Sequence, residues 1–248
     1  MLMSSFFMGC NKEKHRKADI RENSKILKLL ERTGIMLKVY RSGKIPKILK
    51  LLPLLTNFED LVWFTRPDRW SSQALLKISK LLIRNLNNIQ LKRFLSLIIL
   101  PRIQECILKS QKFIIYKQLI FNLVISNVKI FFSSIIFPMC SSSKCTKREI
   151  TFISLIIVKN SFSSKHISWI VQKISKNPNN SAQLIIMRML ISKKYNFSYR
   201  LLDILVDFFV NYSHEINNIF FLKCLFAFLQ NYSNFLSLED KNRLLKII

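Results

Sequence analysis

The sequence predicts an all-α protein, a single irregular, α-solenoid-like helical array of about ten helices. Three observations predict it. Only 3 Gly and 6 Pro interrupt 248 residues, too few turn formers for a sandwich or barrel. Half of the residues are hydrophobic, which excludes a disordered chain. Apolar residues recur three and four apart almost throughout, the period of helices that bury one face. No strict repeat length is legible, so the array is irregular.

Residues 1–23 read as a short, basic, flexible N-terminus, and 24–248 as one helical domain. The apolar Met1–Asn11 stretch precedes Lys12, Lys14, Arg16 and Lys17, the reverse of a signal peptide. Ile26–Val39 has helical spacing. Pro46 stands where a helix can start, before Ile48, Leu49, Leu51 and Leu52. Asn57 can cap the next helix, with Glu59 and Asp60 in its first turn. Asp68 or Ser71 can cap the one that runs to about Leu86, with Lys77, Lys80 and Arg84 on one face and Ile78, Leu82 and Leu86 opposite. A further helix starts near Ile89, and Pro101 kinks or ends it.

Pro138–Cys145 is the most turn-like interior stretch and reads as a loop, not a domain boundary. Thr146-Lys147-Arg148-Glu149 is a capping box before the apolar run Ile150–Val158, although β-branched residues leave a strand open there. Ser164 can cap a helix to Lys176, and Asn180 or Ser181 one to Ser192. Another begins near Tyr199. Ser237, with Asp240 three residues on, opens the last.

The chain carries 40 Lys and Arg against 14 Asp and Glu, a net +26. Abundant Ile, Lys, Asn and Phe have the look of AT-rich coding, so the placement of charge says more than its amount. From Arg69 to Lys147 there are thirteen Lys or Arg and one acid, Glu105; from Ile150 to Leu202 there are eight and no acid. Ordinary solvated faces mix both signs. Such runs suit a polyanion: RNA, DNA or an anionic membrane surface. No DNA-reading motif is present, so RNA held through phosphate and shape is the preferred partner. The rival is a basic membrane-associated helical protein. Polar residues interrupt every apolar run long enough to span a bilayer, which counts against it.

Catalytic signatures are missing. Ser42-Gly43-Lys44 lacks the remaining P-loop positions. Cys140 and Cys145 are five apart, without two further ligands at zinc-site spacing, and His15, His166 and His214 are scattered. A pair of core cysteines is the plain reading, with a reversible disulfide or shared metal as the alternative. Asp203 and Asp207 share a helix face, which suits a local salt bridge better than acid–base work. The expectation is a protein that is not an enzyme, with no cofactor, metal or small-molecule substrate.

Several motifs recur in a recognisable order. They are Tyr40-Arg41-Ser42-Gly43-Lys44-Ile45-Pro46-Lys47, Pro67-Asp68-Arg69-Trp70-Ser71, and Arg93-Phe94 leading to Leu100-Pro101-Arg102. Pro138-x-Cys140-x4-Cys145-Thr146-Lys147-Arg148-Glu149 follows, then Lys193-Lys194-Tyr195, Tyr199-Arg200-x-Leu202-Asp203 and Gln230-x-Tyr232. The chain resembles the bystin family from about Tyr40 to Leu245. The resemblance implies an all-helical, repeat-like, non-catalytic ribosome-assembly factor of the nucleus and nucleolus. Its partners would be pre-rRNA of the small (40S) subunit, small-subunit ribosomal proteins and other assembly factors. It would sit near the head or beak of the precursor during rRNA processing and could travel with it to the cytoplasm. The family usually carries a long charged N-terminal region, little of which is seen here. Its Leu-Val-x-His-Phe reads Leu205-Val206-Asp207-Phe208-Phe209, without the His, and a tryptophan near the C-terminus corresponds to Phe221.

Candidate contacts to RNA or a partner are Arg41, Lys44, Lys47, Lys147, Arg148, Lys193, Lys194 and Arg200. The alternative for each is a solvated surface charge. Lys147 and Arg148 stand in the first turn of a helix whose N-terminus itself favours anions. Gly43 and Pro46 shape a turn into a helix. Trp70 reads as a core anchor rather than a stacking platform, as do Trp63 and Trp169. Pro101, Pro138, Cys140, Cys145, Thr146, Glu149 and Tyr199 belong to the structural motifs. Asp203 is expected to pair with Arg200 or Tyr199. Tyr195, Phe197 and Tyr199 alternate and suit packing more than base stacking.

Overall fold

A computed structural model describes residues 25–55, 58–109, 114–141, 145–176 and 181–247. Residues 1–23, expected to be a flexible N-terminus, lie outside the described residues. The chain is all-α, with no strand among the described residues. It divides into two compact units: Met1–Phe94 with Lys112–Asn122, and Leu95–Gln111 with Leu123–Ile248.

In the first unit α1 covers residues 25–38. Gly34 lies so close to Thr65 that a Cβ would meet the Thr65 carbonyl oxygen at 2.5 Å, so only glycine fits. Pro46 does start a helix, with its carbonyl accepting from Leu49 N at 3.2 Å, but that helix, Ile48–Leu51 (α2), is a single turn. A 3-10 turn through Pro53 follows, then Phe58–Phe64 (α3) with Glu59 and Asp60 in its first turn. The proposed cap Asn57 lies outside the described residues. Ser71 caps Ser72–Asn85 (α4), its Oγ accepting from Ala74 N at 3.1 Å, while Asp68 sits in the preceding 3-10 turn. As the spacing predicts, α4 buries Ile78 and Leu82 and exposes Lys77 and Arg84. Asn88–Phe94 (α5) is tied to α3 by Arg93 Nη1 and Glu59 Oε1 at 2.9 Å.

Trp70 is the anchor expected, fully buried with its indole N–H donating to the Thr65 carbonyl at 3.0 Å. Trp63 is not a core residue: it is 47% exposed. Phe58 and Val62, four apart, take the inner face of α3, and Trp63 is turned about 100° away from Val62.

The second unit opens on a π-helical turn, Leu95–Ile99, that runs into Leu100–Leu108 (α6). Ile114–Ser126 (α7) belongs to this unit only from Leu123. Val128–Phe131 (α8) leads through a second π-helical turn, Phe132–Ile136, into Phe137–Ser141 (α9). Pro101 and Pro138 each stand two residues after such a turn. Proline lacks an N–H and its ring crowds the carbonyl four residues back, here Leu97 and Ser134, both inside the widened turn. The helical path therefore continues through Pro101 instead of ending. Pro138 lies in a helix, not in the loop expected from 138 onward. The two widened turns contact each other, and the Ser134 hydroxyl, in the second, is buried without a hydrogen-bond partner.

Lys147–Lys159 (α10) is a helix where a strand had been left open. Its capping box is complete: Thr146 Oγ1 accepts from Glu149 N at 3.3 Å, and Thr146 N donates to Glu149 Oε2 at 2.8 Å. Ser164–Lys176 (α11) is capped one residue earlier than expected. The Ser163 carbonyl accepts the first i+4 bond, from Ile167, and the Ser163 hydroxyl bonds His166 Nδ1. Ser181–Ser192 (α12), Tyr199–Asn211 (α13), Ile219–Tyr232 (α14) and Leu238–Leu245 (α15) complete the unit. Ser237 caps α15 through Asp240 N. Alternate helices contact each other, in two rows: α10, α12, α14 and α11, α13, α15. Stacked helical hairpins use two such rows. The starts at Lys147, Ser181 and Ile219 are unequally spaced, however, and define no repeat unit. Phe209, Phe221 and Phe228 fill the aromatic core beside Phe208, with ring centroids 5.3–5.7 Å apart around Phe209. Phe208 packs its ring against Phe209, Tyr212 and Phe221.

Candidate nucleic-acid interface

In the first unit the two leading motifs meet. Ser71 Oγ donates to the Tyr40 carbonyl at 2.5 Å, and Ser71 N to the Leu37 carbonyl at 3.1 Å. The Gly43 carbonyl accepts from the Tyr40 hydroxyl at 2.6 Å and from Lys77 Nζ at 2.8 Å. Gly43 has φ +115°, a conformation that strains any L side chain. The turn is therefore built, and Arg41, Lys44 and Lys47 stand exposed around it. Lys77, 34 residues beyond Gly43, is the residue that locks the loop. Only its place on the polar face of α4 hinted at this.

In the second unit Glu149 is buried between two anchors. Its Oε2 closes the capping box, and its Oε1 accepts from Gln104 Nε2 of α6 at 3.1 Å. Arg148 donates to the Leu108 carbonyl at 3.3 Å, so it braces α10 against α6 as well as facing solvent. Lys147 is exposed. Cys140 is buried, Cys145 half-buried, and neither forms a disulfide. Burial, then Cys145 and Glu149, pushes the Cys140 thiol up to about 12; burial and Glu149 also raise Cys145. Neither is a thiolate at neutral pH. No metal-holding cluster of His, Cys, Asp or Glu exists among the described residues.

The cluster Lys193, Lys194 and Arg200, adjacent in sequence, is divided by the fold. Lys193 points inward: its Nζ donates to the Asn160 carbonyl at 2.6 Å, lies 5.9 Å from the Phe162 ring centroid, and is held below the usual lysine range by burial. Lys194 adopts the left-handed φ of 53° that ends α12. The linker beyond it is clamped to α14. Tyr232 donates to the Tyr195 carbonyl at 2.8 Å, and its ring stacks on Phe197 at 4.8 Å. Tyr195 Oη in turn accepts from Phe162 N at 3.3 Å. Tyr195 and Phe197 thus serve packing, while Tyr199 is 75% exposed. Asp203 is exposed and makes no ion pair with Arg200 or Tyr199; Asp207 pairs instead with Arg243 at 2.7 Å, across α13 and α15.

Arg200 reaches a groove of about 410 Å³ between α11 and the start of α13. Lys165, Trp169 and Gln172 line its other side. Trp169 is half-buried against Phe137 at 6.1 Å, with Lys129 Nζ 6.0 Å from its centroid, so it is neither the core residue expected nor a free ring. The groove therefore combines two cations, an amide and an indole ring, and no carboxylate lines it. Lys165 was not singled out by sequence, and Trp169 was read as core; their spacing of four on a helix whose flanks lack acids is the signal available.

The bystin family matches residues 7–248. This chain belongs to the bystin family. It is 34% identical over 227 residues to bystin of Nematostella vectensis, covering 91% of this chain and 53% of that one. It is 33% identical over 229 residues to bystin of Dictyostelium discoideum, covering 91% and 48%. Bystin of Homo sapiens is 32% identical over 232 residues, covering 90% and 52%. The chain spans about half the length of the curated relatives it matches. No helix among the described residues is long and apolar enough to cross a membrane.

Proposed function

We propose that the chain is a non-catalytic ribosome-biogenesis factor that binds pre-rRNA and proteins on the precursor of the small subunit, near its head or beak. It acts in the nucleus and nucleolus during rRNA processing. It works without a cofactor, a small-molecule substrate or a membrane. Family membership and the motif resemblance support this reading. The observation that carries it is the α11–α13 groove, where Lys165 and Arg200 flank Trp169 in a stretch that contains no acid from Ile150 to Leu202.

Phosphates would pair with Lys165 and Arg200, and an unstacked base would lie on Trp169. Lys147, at the start of α10, adds a cation where the helix N-terminus already favours anions. Arg41, Lys44 and Lys47 offer a second exposed cationic turn on the other unit. Neutralised phosphates release counterions, so affinity must fall steeply with salt.

The test is gradient sedimentation of tagged protein from lysate at low and high salt, with RNA sequenced from each fraction. Co-migration with particles that hold uncleaved small-subunit rRNA, weakened by salt, is expected. Protein at the top of the gradient at low salt, or recovered with membranes, overturns the reading.

A further inference from the structure

The outward face of α14 carries an unexplained apolar stripe. Ile219, Leu222 and Phe226 stand at i, i+3 and i+7, all exposed, Phe226 by 68%. The opposite face of the same helix is fully committed to the core through Phe221, Cys224, Leu225 and Phe228. The stripe is therefore left largely outside the core. Leu222 and Phe226 form one wall of an open groove of about 530 Å³ between α14 and α12. Arg188 and Lys194, from the α12 side, and Lys223, from α14, surround it, and no carboxylate lines it.

We infer that this groove docks an acidic amphipathic helix of a partner protein. The spacing of the stripe is that of helix-in-groove recognition, where anchors at i, i+3 and i+7 meet a complementary apolar face. The three cations call for carboxylates on the flanks of the incoming helix, and like-charged surfaces are excluded by the same field. RNA fits less well. A nucleotide can stack on Phe226, but Ile219 and Leu222 have no ring face, and burying them against phosphate gains nothing. The α11–α13 groove differs on this point: its apolar lining is the Trp169 ring with buried Leu201 and half-buried Ile204, not an exposed stripe. Lys194 is directed to this face by its left-handed backbone, while Arg200, six residues on, lines the other groove.

The probe is a fluorescein-labelled synthetic helix with Leu and Phe along one face and Glu on its flanks. It is titrated into the full chain beside a scrambled peptide of the same composition and a uridine-rich single-stranded RNA. The striped peptide should bind about tenfold or more tighter than the scrambled one, the scale of a central aromatic anchor. Phe226→Asp should abolish that preference and leave RNA affinity within about twofold. Phe226 is exposed, so the variant should keep the wild-type circular dichroism; if it does not, Arg188→Glu with Lys223→Glu decides the matter by the same loss. Equal binding of both peptides overturns the inference, as does a preference that survives the substitutions. RNA affinity that falls together with peptide affinity also overturns it and assigns the face to nucleic acid.

Discussion

The two grooves of the second unit are made from neighbouring helices of similar length, yet they present different chemistry. Between α11 and α13 the lining is polar and cationic around half-buried Trp169, with buried Leu201 and half-buried Ile204 beside it. Between α12 and α14 an apolar stripe lies inside a ring of cations. Positive charge is common to both and so cannot distinguish their partners. What differs is the exposed apolar element: a half-buried ring suits a base, an exposed periodic stripe suits a helix. One clamp separates the grooves. Tyr232 holds the linker from α12 to α13 through the Tyr195 carbonyl and the Phe197 ring, and so sets where Lys194 and Arg200 stand.

The largest effect should come from removing that clamp. Tyr232→Ala deletes a buried ring and its hydrogen bond and should cost about 3–5 kcal/mol in urea unfolding. Both RNA and peptide binding should decline together. If only one declines, the clamp does not serve both faces. Next, Lys165→Glu with Arg200→Glu should weaken single-stranded RNA binding about tenfold or more and lower the salt slope by about 2, the value for two lost phosphate contacts. Peptide binding should persist. Lys193→Met should act differently from its neighbours in sequence. Loss of the bond to the Asn160 carbonyl should cost about 1 kcal/mol of stability with the salt slope unchanged. A slope that falls as for the Lys165 and Arg200 reversals would place Lys193 on the RNA.

The smallest effect concerns Cys224, on the buried face of α14. Burial pushes its thiol up to about 12, with Arg188 opposing. The folded state thus favours the protonated thiol over the unfolded chain, whose thiols titrate near ~8.5. This contribution is complete below the unfolded value and is lost as pH rises toward the folded one. Iodoacetamide needs the thiolate, so Cys224 should label only through opening of the α12–α14 face, after half-buried Cys145. Equal labelling rates at neutral pH would show that face to be open.

Much of the fold was legible from local chemistry. The capping box at Thr146 and the cap at Ser237 needed only residues three apart, and the period of α4 placed its lysines correctly. The widened turns before Pro101 and Pro138 were not legible, because a proline in an apolar run signals a break but not how the chain absorbs it. Trp63 and Trp169 were misjudged by residue type alone; the side of the helix each occupies depends on its neighbours. The site was less legible still. Lys193, Lys194 and Arg200 read as one patch because they are close in sequence. The end of α12 and the start of α13 fall between them, and a left-handed residue turns the chain there. Phe226 and Leu222 were not singled out by sequence, since α14 is apolar on two faces and hydropathy does not say which is covered.

The most direct test of the account is a titration of single-stranded RNA across a salt series with the wild-type chain, the Lys165→Glu/Arg200→Glu variant and Phe226→Asp. The account predicts that the double reversal alone lowers both affinity and salt slope, while Phe226→Asp follows the wild-type line. Wild-type behaviour of the double reversal, or equal losses in both variants, would contradict a division of labour between the two grooves.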